Sequence, residues 1–281
     1  MIYIWEKLFY FSDEQFWPAD KRLKDTFQSM TKHGIIQKND LFSIWKRREF
    51  SNIWPYREFI FDMLIHLDIL SEQRRYDRET GSRLPVKDYF VPCMLTARNE
   101  SNYFQKECTS NKSMCLAFTF KGTVIPPALP NRLISACLSI WALKEYNGQK
   151  LLFPGFVALA VDKSHDLIVC VQDNKILVYI VHKRTRDLIM PDVALSVREC
   201  LYTTLQRISE FYQSTIEDKN SQKLPFHIEF ACSEMTCFIP EKDALEMDCW
   251  ICPCHLYKHG RHFWNIWISN RVGFLVNRYH S

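Results

Sequence analysis

The sequence predicts an α+β fold, with an N-terminal winged-helix-like subdomain followed by an antiparallel sheet with packed helices. Two patterns carry this. Between Tyr56 and Leu70 the apolar residues Ile60, Met63, Leu64 and Leu67 recur at three and four, the period of a helix with one buried stripe. Between Phe156 and Val181 three β-rich runs follow one another across short polar turns. With 281 residues, 47% hydrophobic and 14% aromatic, the chain has material for well-buried cores.

In chain order, Ser12 with Glu14 and Gln15 behind it caps a helix that runs past Leu23 and Phe27 and stops at Gly34. Asn39 and Asp40 offer the cap of a short second helix carrying Leu41, Ile44 and Trp45. The third helix is the Tyr56 to Leu70 stripe. After Ile69 and Leu70 comes a charged stretch from Glu72 to Arg83 with Gly81 at its tip, and the chain returns through Val86, Tyr89, Phe90 and Val91 to Pro92, which ends the strand. Three helices and a two-stranded wing make the winged-helix-like block, residues 1–95.

The polar stretch from Ala97 to Lys112 reads as a linker into a second block, residues 96–231. Met114 to Phe120 is a strand. Pro126, Pro127 and Pro130 lead into a helix with Leu133, Ile134, Cys137, Leu138 and Trp141 on its buried face. The runs Phe156 to Val161, Leu167 to Val171 and Ile176 to Val181 form an antiparallel meander. Pro191 and Asp192 open a long helix whose Val197, Leu201, Leu205 and Ile208 can cover a sheet, and a last strand, Phe226 to Phe230, ends at Cys232. Residues 232–281 form a Cys/His-rich C-terminal tail.

Composition narrows the function classes. Only seven glycines are present, and no G-x-x-x-x-G-K-[ST] occurs, so the chain is expected to bind no nucleotide. The +4 charge, from 36 basic and 32 acidic residues, is a weak field beside the clustered stripe of a nucleic-acid binder. Ile2 to Trp5 is broken at once by Glu6 and Lys7, which leaves no signal-peptide core, and no uncharged run reaches membrane-span length. The expectation is a cytoplasmic protein without a membrane partner, its 11 cysteines reduced.

Two phrases, Asp88-Tyr89-Phe90-Val91-Pro92-Cys93-Met94-Leu95 and Pro126-Pro127-Ala128-Leu129-Pro130-Asn131-Arg132-Leu133-Ile134-Ser135, in this order resemble the COR domain, the module that follows the Ras-like Roc GTPase in Roco proteins. The resemblance covers roughly residues 1 to 231. It implies a COR-A subdomain of winged-helix type over 1–95 and a COR-B subdomain over 96–231. It also implies a non-catalytic scaffold or dimerisation module that relays conformational change to or from a Roc-type GTPase, in cis or in trans, as a homodimer. The GTPase itself is absent from this chain, which has no phosphate loop.

The strongest chemical cluster lies in the tail, where Cys232, Cys237, Cys249, Cys252, Cys254, His255, His259 and His262 crowd together. The spacing Cys252-x-x-His255-x-x-x-His259 can converge on one tetrahedral zinc, with Cys232 as fourth ligand. Cys237, Cys249 and Cys254 compete for each place, and the alternative is a cysteine-rich tail packed with Trp250, Trp264 and Trp267. No cysteine sits in a recognisable nucleophile context, so no catalytic residue is expected. A winged helix also invites a nucleic-acid-binding reading, with Arg74, Arg75, Arg78 and Arg83 on phosphates. Against it, the third helix carries Glu58, Asp62, His66 and Asp68, and the arginines are interleaved with Glu72, Asp77 and Glu79. Among Trp45, Phe50, Trp54, Tyr56, Phe59 and Phe61, most fill the core, and only those left exposed qualify as a protein-contact surface.

Overall fold

Helix α1 (Lys21–His33) stops because Gly34 takes a left-handed φ of 65°. The Gly34 N–H donates to the Met30 carbonyl at 2.9 Å, closing the last turn as the sequence predicts. A Cβ at this position would meet Leu95 and the Val91 carbonyl at 3.0 to 3.1 Å, so glycine is required for space as well as for φ. The computed structural model describes residues 21–67, 69–72, 82, 84–91, 94–121, 125, 128–213 and 226–268. The Ser12 cap, the hairpin tip with Gly81 and its arginines, Pro92, Cys93, Pro126, Pro127 and His262's neighbours beyond 268 lie partly or wholly outside those residues.

The elements after α1 are β1 (Ile35–Gln37), α2 (Lys38–Trp45), α3 (Arg57–His66), β2 (Ser71–Glu72), β3 (Asp88–Phe90), α4 (Tyr103–Glu107), β4 (Ser113–Phe120) and α5 (Ala128–Ile140). The short strands β5 (Ala142–Leu143), β6 (Glu145–Tyr146), β7 (Gln149–Lys150) and β8 (Leu152–Phe153) lead to β9 (Phe156–Ala160), β10 (His165–Gln172) and β11 (Lys175–His182). Then come α6 (Pro191–Gln213), β12 (Phe226–Ala231), β13 (Phe238–Pro240), α7 (Glu241–Glu246), β14 (Cys249–Ile251), β15 (Lys258–Gly260) and a 3-10 segment, Arg261–Trp267. The class is α+β with antiparallel sheets.

The chain divides into two compact units: residues 1–100 with 131–159, and residues 101–130 with 160–281. In the first, β1, β3 and β2 form an antiparallel sheet in that order, with Ile35 opposite Phe90 and Ser71 opposite Phe90 on the other side. Phe27, Met30, Ile36, Leu41, Ile44, Trp45, Phe61, Leu64, Leu70 and Val91 make one core beneath it. Two helix limits differ from the sequence reading. Helix α2 starts at Lys38, with Gln37 as its N-cap and no side-chain cap bond, because β1 delivers the chain directly into the helix and places Asn39 and Asp40 inside the first turn. Helix α3 is shorter than Tyr56 to Leu70. Trp54–Tyr56 forms a 3-10 turn containing Pro55, and the Ile69 and Leu70 N–H groups both return to the Leu64 carbonyl, which turns the chain out of the helix.

The second unit holds the five antiparallel strands β13-β12-β4-β11-β10, with Val178 of β11 facing Leu116 of β4 on one side and Val169 of β10 on the other. Every residue of β4 is buried, as a central strand covered on both faces must be. Helix α6 buries Ala194, Val197, Leu201, Leu205 and Ile208, and Tyr202 meets Phe226 of β12 edge to face. The stretch read as a linker contains α4, whose fully buried Tyr103 donates its hydroxyl to Asp166 at 3.1 Å. The described part of the C-terminal tail, residues 232–268, is folded as well: Trp264 and Trp267 are fully buried, and the Trp264 indole N–H donates to the Ala231 carbonyl at 3.0 Å. Arg198 of α6 ties it down by donating to the Trp267 carbonyl and to Glu241. Among the described residues no helix is long and apolar enough to cross a membrane.

Candidate metal centre

Two tight turns of similar construction build the site. The first follows β12: the Cys232 N–H donates to the Cys237 carbonyl at 2.8 Å, the Met235 N–H returns to the Cys232 carbonyl at 2.9 Å, and Met235 takes a left-handed φ of 58°. The second joins β14 to β15: the Cys252 N–H donates to the Tyr257 carbonyl at 2.9 Å, the Leu256 N–H returns to the Cys252 carbonyl at 2.8 Å, and Leu256 has φ 57°. Left-handed residues of this bulk are uncommon, and each of the two turns carries one.

Each turn contributes two ligand-type atoms. The sulfurs of Cys232, Cys237 and Cys252 and a ring nitrogen of His255 all lie within 4.8 Å of one another. A tetrahedral zinc with sulfur ligands at about 2.3 Å sets its ligand atoms roughly 3.8 Å apart, so with the Cys237 sulfur as a free thiolate the group needs only a small contraction to close on an ion. The three cysteines are buried and His255 is half-exposed, which leaves little room for water among the four. That is the character of a structural metal site.

The electrostatics favour a thiolate at Cys232. Burial pushes its thiol up, but the backbone N–H groups of Cys237, Thr236 and Glu234 and the Thr236 hydroxyl outweigh burial and hold it below the ordinary cysteine value. The Cys237 N–H donates to the Cys232 sulfur at 3.4 Å. Across the second turn, Cys252 Sγ and His255 Nδ1 stand 3.4 Å apart. Cys237 is also joined to Cys254 in a disulfide, with Cα atoms 6.6 Å apart.

Of the ligands read from the sequence, Cys232, Cys252 and His255 come together and His259 does not. The residue in its place is Cys237. The spacing Cys252-x-x-His255-x-x-x-His259 does not converge here, because residues 249–260 form a hairpin. His259 therefore emerges on β15 opposite Trp250, buried among Trp250, Phe263 and Trp264. Its Nε2 finds no hydrogen-bond partner among the described residues, and burial, with Arg186 next, lowers its pKa. The sequence shows Cys237 as a Cys-x4-Cys step at a strand end, but only the hairpin decides between it and His259.

Away from the cluster, three buried thiols are poor nucleophiles. Burial pushes Cys108 and Cys170 up to about 12, and Cys115 well above its ordinary value, so these three are protonated at neutral pH. His165 is buried with its Nδ1 on Asp162 at 2.8 Å, but its Nε2 accepts the Met190 N–H at 3.3 Å, so both ring nitrogens are occupied within the fold. No protein-family model matches the chain, and no curated protein matches it in sequence.

Proposed function

We propose that this chain is a non-catalytic COR-like scaffold, its C-terminal lobe closed by a structural zinc on Cys232, Cys237, Cys252 and His255, and that it relays conformational change to or from a Roc-type GTPase as a homodimer. The observation that carries the reading is the element order: helix, strand, helix, helix and two strands, paired β1-β3-β2, followed by an antiparallel sheet with helices. This order supports a winged-helix block of COR-A type followed by a COR-B type sheet. In their described residues the two sequence phrases overlap β3 and the start of α5.

The outer face of α3 favours protein over nucleic acid. Tyr56 and Phe59 are 64% and 71% exposed, and the neighbouring exposed side chains on α3 are Glu58, Asp62 and His66. A helix entering the major groove needs cations and base-reading groups there, whereas exposed aromatics beside carboxylates suit a protein contact.

Sedimentation velocity tests the proposal. We expect the zinc-loaded chain to sediment as a dimer and to bind a Roc-type GTPase with affinities that differ at least about fivefold between its GDP and GTP states, the lower end of common allosteric couplings. A monomer that binds neither form sinks the relay reading, and salt-dependent DNA affinity replaces it with the nucleic-acid reading. Metal analysis of the purified protein tests the zinc separately, one ion per chain being the expected result.

A further inference from the structure

The sulfur of Cys237 has two claimants. It belongs to the four ligand atoms gathered within 4.8 Å, and it is paired with Cys254. A sulfur in a disulfide has no thiolate to give a metal, so the two arrangements exclude one another. The fold accommodates either. Cys254 sits on the second turn between Cys252 and His255, and its Cα lies 6.6 Å from that of Cys237, inside the range a disulfide spans.

Exposure separates the roles. Cys254 is exposed, while Cys232, Cys237 and Cys252 are 2%, 6% and 0% exposed. A small oxidant therefore reaches Cys254 before it reaches a buried sulfur of the group.

Resting on the zinc reading above, we propose that this centre is a thiol switch, in which Cys254 is the sensing cysteine and Cys237 the ligand it withdraws. The oxidant class is a hydroperoxide. The Cys254 thiolate attacks one oxygen of hydrogen peroxide, forming an S–O bond, breaking the O–O bond and releasing hydroxide. The Cys237 thiolate then leaves the metal and attacks the Cys254 sulfur, forming the S–S bond and expelling a second hydroxide. Two thiolates and one peroxide thus give one disulfide and two hydroxides, a balanced two-electron oxidation. Cys232, Cys252 and His255 remain, a three-residue set that holds zinc less tightly, and the ion is released.

The test uses the zinc-loaded full chain treated with hydrogen peroxide, with released zinc followed by a chromogenic chelator and disulfides located by peptide mapping. Zinc release should keep pace with the Cys237–Cys254 link, and a dithiol with added zinc should reverse both. Cys254→Ser should hold one zinc before oxidation and release it roughly tenfold more slowly, since its buried sulfurs are poorly accessible. Release from Cys254→Ser at the wild-type rate, or a disulfide mapped to another pair, overturns the switch while leaving the zinc reading intact. An untreated protein that contains no zinc overturns the zinc reading itself, and the switch with it.

Discussion

The backbone N–H of Cys237 points at the sulfur of Cys232, 3.4 Å away, while the Cys232 N–H donates to the Cys237 carbonyl. The turn is thus closed by its own backbone, with a thiolate-favouring sulfur on its inner side. Such a turn presents its sulfurs where a metal ion could be held. The second turn is likewise closed by its backbone, the Cys252 N–H donating to the Tyr257 carbonyl at 2.9 Å.

Removing the metal or one buried ligand should therefore loosen the whole C-terminal lobe. A ligand held at about a thousand times its dissociation constant contributes about 4 kcal/mol. In a unit of this size, about 1 kcal/mol corresponds to roughly 2–4 °C in Tm. Differential scanning fluorimetry of Cys252→Ala, or of wild type with a strong chelator, should show a Tm lower by roughly 8–16 °C on those two relations. His259→Gln, outside the four, should keep its zinc.

Stability should fall on mild acidification, and His182 is one cause. Burial, then the nearby His165 and Arg184, lower its pKa. Its Nδ1 accepts hydrogen bonds from the Arg184 and Thr185 N–H groups at 3.1 and 3.3 Å, which only the neutral ring can do. The unfolded chain then binds more protons than the folded one between the lowered value and the ordinary one of about 6.5, so stability is present above that and is lost as pH falls below it. Asp162 acts in the same sense at lower pH. Burial raises its carboxyl, but the N–H groups of Ser164 and His165 and the His165 ring outweigh burial and lower it. Urea midpoints of wild type and His182→Gln, at equal zinc loading, should differ less with pH in the variant.

The bond between the Tyr103 hydroxyl and Asp166 anchors α4 to the start of β10. Both side chains are buried, and burial, with the Asp166 carboxylate next, drives the phenol pKa far above its ordinary value, so the hydroxyl remains a donor. Tyr103→Phe leaves the ring packing and withdraws that donor from a buried carboxylate. The expected cost is about 1–3 kcal/mol in chemical denaturation. An unchanged midpoint would show that the other groups around Asp166 satisfy it alone.

The elements that the sequence reveals are those with a long repeat. The α3 stripe, the eight-residue strands β4, β10 and β11, and the α6 face each offer several turns or alternations of pattern. Strands β5 to β8 are two residues each, shorter than one readable period, while β14 and β15 pack on Trp264 through Trp250 and His259, and α7 is tied through Glu241 to Arg198. The metal group was legible in its residue types. Its fourth member was not, because choosing between Cys237 and His259 requires knowing that residues 249–260 form a hairpin.

Helix α3 offers a contrast between two phenylalanines two residues apart. Phe61 is buried against Phe42 and Tyr89 in edge-to-face contact, with ring centroids 5.7 and 4.9 Å away, whereas Phe59 stands in solvent. Phe61→Ala should cost about 3–5 kcal/mol through lost packing and the cavity left behind. Phe59→Asp exchanges a solvent-facing side chain, so its effect on stability should stay within roughly 0.5 kcal/mol. If the aromatic face of α3 is a protein contact, the same substitution places a charge at its centre and should weaken self-association or GTPase binding by roughly tenfold or more, as the loss of a hot-spot residue does. Sedimentation velocity of the folded Phe59→Asp chain separates the cases: an unchanged dimer that binds the GTPase as wild type does would remove α3 from the interface.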